Sequence, residues 1–177
     1  MFVAPVSVDA KRANISDLRA YFDGSGDRKK LRKKLRRLGV SRLLRLLRRV
    51  EPHVRAKKGL QRFETAVGAY YVVPPARYSP KKSWPLHIAL HGHGSSQTGR
   101  VACKTYWKGE PAKHGVILAC PDLRGKWTSK RGEKLVLATY KDVQQRFNVR
   151  TDRVSLGGFS GGGIGTWILG PRYPDLF

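Results

Sequence analysis

The sequence predicts an α/β protein: a mostly parallel sheet with helices on both faces, preceded by a basic helical extension. Two short apolar runs, residues 86–90 and 116–120, read as buried strands. They alternate with helical segments, of which residues 133–147 show the clearest period of 3.6. Buried strands that alternate with helices over short loops are typical of a parallel sheet covered by helices.

The composition changes near residue 60. The first 60 residues carry 18 of the 36 lysines and arginines but only 5 of the 12 acidic residues. We therefore predict a basic helical extension over residues 1–60 and an α/β domain over residues 61–177. The net charge of +24 favours contact with polyanions, either nucleic acid or an anionic membrane surface.

Residues 27–50 of the extension are predicted to form a pair of short basic helices. Asp27 suits the N-cap of the first helix, and the leucines at 31, 35 and 38 fall on one helical face. Gly39 should end this helix, and Ser41 should cap a second one that runs to about Val50. We expect the leucines to pack on the main domain and the cations to be solvated. No aromatic residue interleaves the arginines, which weighs against base stacking.

Cysteine content and hydropathy argue against a cysteine metal site, a disulfide-rich scaffold and a membrane-spanning segment. Cys103 and Cys120 have neither metal-ligand spacing nor the density of a disulfide scaffold, and Cys120 is expected to be a small buried residue. No stretch approaches the roughly 18 apolar residues of a membrane span. The N-terminus lacks the pattern of a signal peptide, so we expect a cytoplasmic protein.

A glycine-rich turn contains the predicted catalytic serine. An apolar run at residues 154–156 leads into residues 158–162, which fit the pattern Gly-x-Ser-x-Gly around Ser160. This pattern describes a nucleophile elbow, a sharp strand-to-helix turn that exposes the serine hydroxyl at the top of a sheet. Ser160 is therefore the predicted nucleophile, and the backbone N–H of Gly161 is the first predicted oxyanion donor.

The second oxyanion donor is expected on the loop after an earlier strand. Residues 91–94, His-Gly-His-Gly, follow a predicted strand, and the backbone N–H of His93 is the candidate. The two predictions support each other, because both glycine-rich corners follow the carboxyl ends of parallel strands. A phosphate cradle would need a Gly-x-Gly-x-x-Gly or Gly-x-x-x-x-Gly-Lys pattern, which the sequence lacks, so neither a nucleotide cofactor nor a metal is expected.

Four segments resemble α/β-hydrolase fold esterases: residues 90–94, 120–125, 152–163 and 173–177. The groups to which they are similar are the phospholipase/carboxylesterase, polyhydroxybutyrate-depolymerase-like and prolyl-oligopeptidase-like hydrolases. The resemblance covers about residues 66–177. It implies hydrolysis of an ester, thioester or peptide through an acyl-enzyme on Ser160, without a cofactor, on a small-molecule ester or short peptide. It places Asp122 near the site in a position that is not normally catalytic.

The sequence departs from this family in one respect. The triad runs in the order Ser, acid, His in this fold, but all five histidines precede Ser160, and Asp175 comes too early for the acid. We expect the chain to be the N-terminal part of a hydrolase whose fold is incomplete at the C-terminus, inactive alone. A base role for His91 or His93 stays open, as does a metal pair between them. The alternatives are a prolyl-oligopeptidase-like peptidase, or a non-catalytic protein that binds polyanions or an anionic membrane through residues 27–50.

Overall fold

The computed structural model describes residues 13–24, 26–47, 53 and 56–177. The chain divides into two compact units, Met1–Val54 and Arg55–Phe177. The boundary that composition predicts near residue 60 stays a prediction.

The described residues of the first unit form three helices where the sequence predicts two: α1 (Ile15–Asp23), α2 (Arg28–Arg36) and α3 (Val40–Leu47). Helix α1 was not predicted, although Asn14 caps it and forms a capping box with Asp17. Asp27 caps α2 as predicted. Ser41 does not cap α3 but lies inside it, and the predicted end of this helix at Val50 lies outside the described residues.

The leucines of this unit form a small core of their own. Leu18 and Leu35 are buried together with Ala13. Around them pack partly buried apolar residues from α1, from the turn after α2 and from α3: Ile15, Tyr21, Leu38, Leu43, Leu46 and Leu47. A half-buried ion pair joins two helices, with Lys34 Nζ 2.8 Å from a carboxylate oxygen of Asp17. The amphipathic pattern of residues 27–47 is thus accounted for by packing within the unit.

The second unit is built on one five-stranded sheet in the order β1-β2-β4-β3-β5. Its strands are β1 (Gln61–Glu64), β2 (Ala69–Val73), β3 (Trp84–Leu90), β4 (Ile117–Pro121) and β5 (Val149–Gly158). Strands β4, β3 and β5 run parallel, whereas β2 is antiparallel to both β1 and β4. The predicted α/β class is confirmed, and the parallel part of the sheet is the part that leads into the glycine-rich turn.

The helices of this unit are α4 (Gly99–Val101), a π-helical turn (Ala102–Tyr106), α5 (Glu110–His114), α6 (Lys130–Arg146) and α7 (Gly161–Arg172). The helical segment between β3 and β4 is broken into three short pieces, α4, the π-helical turn and α5. Pro111, at the start of α5, has no N–H to donate to a preceding turn, so a new helix begins there.

Helices cover both faces of the sheet. Ala89 and Leu118 pack against Ala102 of the π-helical turn. The neighbouring residue Leu90 points to the opposite face, because side chains alternate along a strand, and there it lies close to Gly165 of α7. Helix α6 lies on that face too, since the Tyr70 hydroxyl of β2 donates a hydrogen bond of 2.5 Å to Asp142. Burial and this carboxylate raise the pKa of Tyr70.

A disulfide between Cys103 and Cys120 ties the π-helical turn to β4. The sequence-based interpretation of Cys120 was therefore incomplete: the residue is fully buried, as expected, but it is not a free thiol. The density argument missed the bond because it addresses scaffolds with many disulfides, whereas one bond needs only two cysteines brought together by the fold. The bond fixes the segment that follows α4 against the centre of the sheet.

Reducing this disulfide should destabilise the second unit. The two cysteines are 17 residues apart, and a loop of that size corresponds to about 3 kcal/mol of lost chain entropy in the unfolded state. Urea unfolding with and without a phosphine reductant should show a decrease of that order in the free energy of unfolding. The double variant Cys103→Ala/Cys120→Ala is the control, and it should not respond to the reductant. Equal unfolding midpoints of the wild-type protein in both buffers would contradict the prediction.

Candidate active site

The two glycine-rich corners lie side by side at one end of the sheet. Leu90, the last residue of β3, is the register partner of Gly158, the last residue of β5. The backbone N–H of Phe159 continues this pairing with a hydrogen bond of 3.1 Å to the carbonyl oxygen of Leu90. The segment after β3 and the turn after β5 therefore start from adjacent points, as the sequence predicts for parallel strands.

Ser160 occupies a strained turn between β5 and α7. Its φ of 51° and ψ of −117° make it the one non-glycine residue with positive φ among the described residues. Such a conformation costs on the order of 1–3 kcal/mol and persists where the surrounding structure enforces it. The Ser160 side chain is exposed. The turn therefore presents a hydroxyl to solvent at the N-terminus of a 12-residue helix.

Close backbone approach explains the glycines on either side of Ser160. A methyl group added at Gly158 would overlap the backbone of Gly162, and one added at Gly162 would overlap the carbonyl oxygen of Leu90. Helix α7 can therefore start directly against the ends of β3 and β5 only because both positions lack a side chain.

The loop after β3 brings His93 beside the turn. A methyl group added at Gly161 would lie 2.5 Å from Nδ1 of His93, so the imidazole is in direct contact with the first residue of α7. Among the described residues, no acceptor receives a hydrogen bond from the backbone N–H of Gly161 or of His93. The structure thus brings together Ser160, Gly161 and His93, the three residues that the sequence singled out.

His91 holds this loop in place and is not available for proton transfer. Its side chain is 2% exposed. Nδ1 lies 2.6 Å from the carbonyl oxygen of Gly92, and Nε2 accepts a hydrogen bond of 3.1 Å from the N–H of Leu123. This pattern requires a neutral ring protonated at Nδ1, and burial lowers the pKa of His91 accordingly. Both nitrogens are used by the protein, so His91 fits neither a general base nor a metal ligand.

Two further histidines of the second unit have structural surroundings. The Nδ1 atom of His87 lies 2.8 Å from the hydroxyl oxygen of Ser155, within the sheet, and burial lowers the pKa of His87. His114 ends α5, with Nε2 3.4 Å from Glu110. Asp122 follows β4 and accepts a hydrogen bond of 3.1 Å from the N–H of Gly99. This carboxylate supports the loop, in accord with the non-catalytic position that the family resemblance implies.

Of two tryptophans near the site, one is buried and the other is exposed. Trp127 is fully buried, and its indole N–H donates a hydrogen bond of 2.8 Å to the carbonyl oxygen of His91. Trp167 is 82% exposed on α7, beside the exposed Ile164 and Ile168. Helical period alone does not say which face of α7 meets the sheet, and Gly165 turns out to face it.

An exposed aromatic pair flanks Ser160 and was not predicted. The rings of Tyr106 and Phe159 stack with centroids 4.4 Å apart, and both side chains remain partly accessible. The Tyr106 hydroxyl donates a hydrogen bond of 3.0 Å to Gln97. Phe159 is the variable residue before the serine in the Gly-x-Ser-x-Gly pattern, so the pattern could have indicated one ring but not its partner. The pair provides an apolar surface next to the hydroxyl.

The architecture is that of the α/β-hydrolase fold, as solved structures indicate. An S-formylglutathione hydrolase from Staphylococcus aureus aligns over 68% of this chain and 54% of its own, with a TM-score of 0.56 and 19% identity. A dipeptidyl peptidase 4 from Porphyromonas gingivalis aligns over 75% of this chain and 21% of its own, with a TM-score of 0.54 and 20% identity. A thermostable esterase aligns over 67% of this chain and 38% of its own, with a TM-score of 0.52 and 20% identity. This chain therefore spans between about one fifth and one half of these proteins.

No protein-family model matches the sequence. The comparison with curated proteins gives no significant match either. In the part of the chain that the structure describes, no helix is long and apolar enough to cross a membrane.

The buried, neutral state of His91 predicts a loss of stability in acid. Because burial lowers the pKa of His91 below its ordinary value of 6.5, the unfolded chain takes up the proton first as the pH falls. The contribution is fully present above pH 6.5 and decreases below it, by at most about 1.4 kcal/mol per pH unit. Urea unfolding between roughly pH 4.5 and 7.5 should show a shallower slope for His91→Gln than for the wild-type protein. The exposed His114 gives the matched control, His114→Gln, and equal slopes for all three proteins would contradict this account.

Proposed function

We propose that this chain carries the nucleophile and two oxyanion donors of a serine hydrolase that acts on carboxylic esters or thioesters. The observation that carries the proposal is the backbone of Ser160, a strained, exposed serine between a parallel strand and a helix. The chemistry is supported by the two unpaired N–H groups nearby and by a fold shared with esterases and peptidases.

In the proposed reaction, the Ser160 hydroxyl attacks the carbonyl carbon of the ester while a base takes its proton. The N–H groups of Gly161 and His93 donate hydrogen bonds to the oxyanion that forms. The C–O or C–S bond to the leaving group then breaks, and the leaving group takes the proton from the base. Water attacks the acyl-enzyme in the same way and releases the acid and the free serine.

We propose that the base and its orienting acid belong to chain beyond these 177 residues. His91 and His87 are engaged by the protein through their ring nitrogens, whereas the imidazole of His93 lies against Gly161, beside the N–H group that we propose as an oxyanion donor. The exposed apolar side chains of α7 support the proposal. So does the position of β5 at an edge of the described sheet. The 177 residues alone are then expected to turn over little substrate, because loss of the triad base costs several orders of magnitude.

The substrate expected from the sequence is a small-molecule ester or a short peptide. A prolyl-oligopeptidase-like peptidase is the alternative within the same mechanism, and it differs only in the bond that is cleaved. The exposed pair of Tyr106 and Phe159 favours a substrate with an apolar or aromatic group beside the reacting carbonyl, because aromatic side chains bind such groups by stacking.

The nucleophile can be tested by covalent labelling of the complete gene product. A fluorophosphonate probe should label the wild-type protein, whereas Ser160→Ala should reduce labelling by at least about a hundredfold, since it removes the attacking oxygen. Ser83→Ala, an exposed serine on the loop before β3, is the matched control and should be labelled like the wild type. Labelling that survives Ser160→Ala would overturn the assignment.

A second function, binding of polyanions or an anionic membrane through residues 27–50, is favoured by the surface of α2. The side chains of Lys29, Arg32, Lys33 and Arg36 are exposed and have no acidic partner among the described residues. A row of unpaired cations on one short helix attracts phosphate groups.

Replacing these four cations by glutamine should weaken binding to a DNA duplex or to phosphatidylserine vesicles. The slope of the logarithm of the DNA binding constant against the logarithm of salt concentration should become shallower by roughly 0.9 for each phosphate that the variant no longer neutralises. A variant with glutamine at Lys104, Lys108, Lys113 and Lys130 removes the same charge elsewhere and is the control. If both variants bind equally well, residues 27–50 form no specific polyanion site.

The cytoplasmic location expected from the sequence stays a prediction. The disulfide between Cys103 and Cys120 argues for an oxidising compartment instead, because disulfides are rare in cytoplasmic proteins.

A further inference from the structure

We infer that the open cavity beside Ser160 is a subsite for an anionic group of the substrate, a carboxylate or a phosphate. This inference rests on the proposed hydrolase function and specifies which esters the site would take: those whose acid or alcohol part carries such a group.

The cavity has a volume of about 860 Å³ and lies between two loops of the second unit. One wall is the loop after β3, at residues 91–98, and the other is formed by residues 122–126 together with Arg131 at the start of α6. Ligand pockets in proteins commonly measure about 300–1,000 Å³, so the space suits a small organic molecule. The His91 side chain joins the two loops, because its ring nitrogens form hydrogen bonds with the backbone of Gly92 and of Leu123.

Three cations line one side of this cavity: Arg124, Lys126 and Arg131. Their side chains are exposed, and none has an ion pair or hydrogen bond with another described residue. The one carboxylate in the lining, Asp122, accepts the hydrogen bond from Gly99 at the floor. The cavity therefore has an excess of positive charge that the protein itself does not neutralise.

The cations offer directed hydrogen bonds as well as charge. Each guanidinium presents a planar fork of N–H donors that matches two oxygens of a carboxylate or phosphate. On the opposite wall, the Gln97 side-chain oxygen accepts a hydrogen bond from the Tyr106 hydroxyl. The Gln97 amide N–H groups have no acceptor among the described residues. The Ser95 hydroxyl also lines the space. Hydrogen-bond donors therefore line both walls of the cavity.

The cavity reaches the nucleophilic turn. Gly92 and His93 belong to its lining, and both touch the elbow. A methyl group added at Gly92 would lie 3.5 Å from Cβ of Ser160, and His93 contacts Gly161. In this inference the anionic group lies among the cations, and the substrate extends past Gly92 and His93 to bring its carbonyl to Ser160.

Binding can be measured by calorimetry on the 177-residue protein with succinate and inorganic phosphate as probes, at about 150 mM salt so that diffuse attraction is screened. The triple variant Arg124→Gln/Lys126→Gln/Arg131→Gln should bind the preferred probe at least about tenfold more weakly. The variant Lys130→Gln/Lys134→Gln/Lys141→Gln removes the same charge from exposed positions outside the cavity and should change affinity less than twofold. Neutral dimethyl succinate should not bind.

The comparison of the two probes separates a carboxylate site from a phosphate site. Equal weakening by both triple variants, or absence of binding to the wild-type protein, would overturn the inference. The single variant Arg131→Gln gives a milder test, with a smaller loss of affinity expected in the same direction. Ser160→Ala keeps the cavity and should bind both probes like the wild type. Failure of the hydrolase proposal would appear as labelling that survives Ser160→Ala, whereas failure of the subsite would appear only in these titrations.

Discussion

The close approach of the start of α7 to the end of β3 is the constraint on which the candidate site depends. Gly162 lies so near the carbonyl oxygen of Leu90 that neither a larger residue nor a looser turn would preserve the arrangement. Since Leu90 is also the register partner of Gly158, the same close approach aligns the turn after β5 with the loop after β3. The exposed side chain of Ser160 and the imidazole of His93, which lies against Gly161, are therefore on the same corner of the sheet.

A buried histidine connects the two loops at that corner. His91 accepts the N–H of Leu123, and its own carbonyl oxygen accepts the indole N–H of Trp127, so one residue connects the loop after β3 to the loop after β4. The ring of Trp127 in turn packs edge-on against His91. Each polar atom of this cluster is satisfied within the protein, which explains how a histidine next to a candidate catalytic serine serves a structural purpose.

The sequence was sufficient for the features that depend on local pattern. Apolar runs located the parallel strands, and the steric requirement for glycine at 158 and 162 located the turn. Features that depend on tertiary contact were not predictable. The disulfide of Cys103 needs the π-helical turn to be placed on the sheet, and the burial of Trp127 needs the loop after β4 to fold under His91. Neither arrangement produces a periodic pattern in the sequence.

The backbone of Ser160 has a consequence for how the chain can change over time. Its φ and ψ, 51° and −117°, are those of the first central residue of a type II′ turn, a position where glycine is favoured. A single replacement by glycine would relieve strain on the order of 1–3 kcal/mol and leave the fold intact. The strain comes from the Cβ atom of Ser160, so the side chain that carries the hydroxyl is one that folding does not need and in fact disfavours. Selection for stability alone would remove it, and a chain that retains it is under a different requirement.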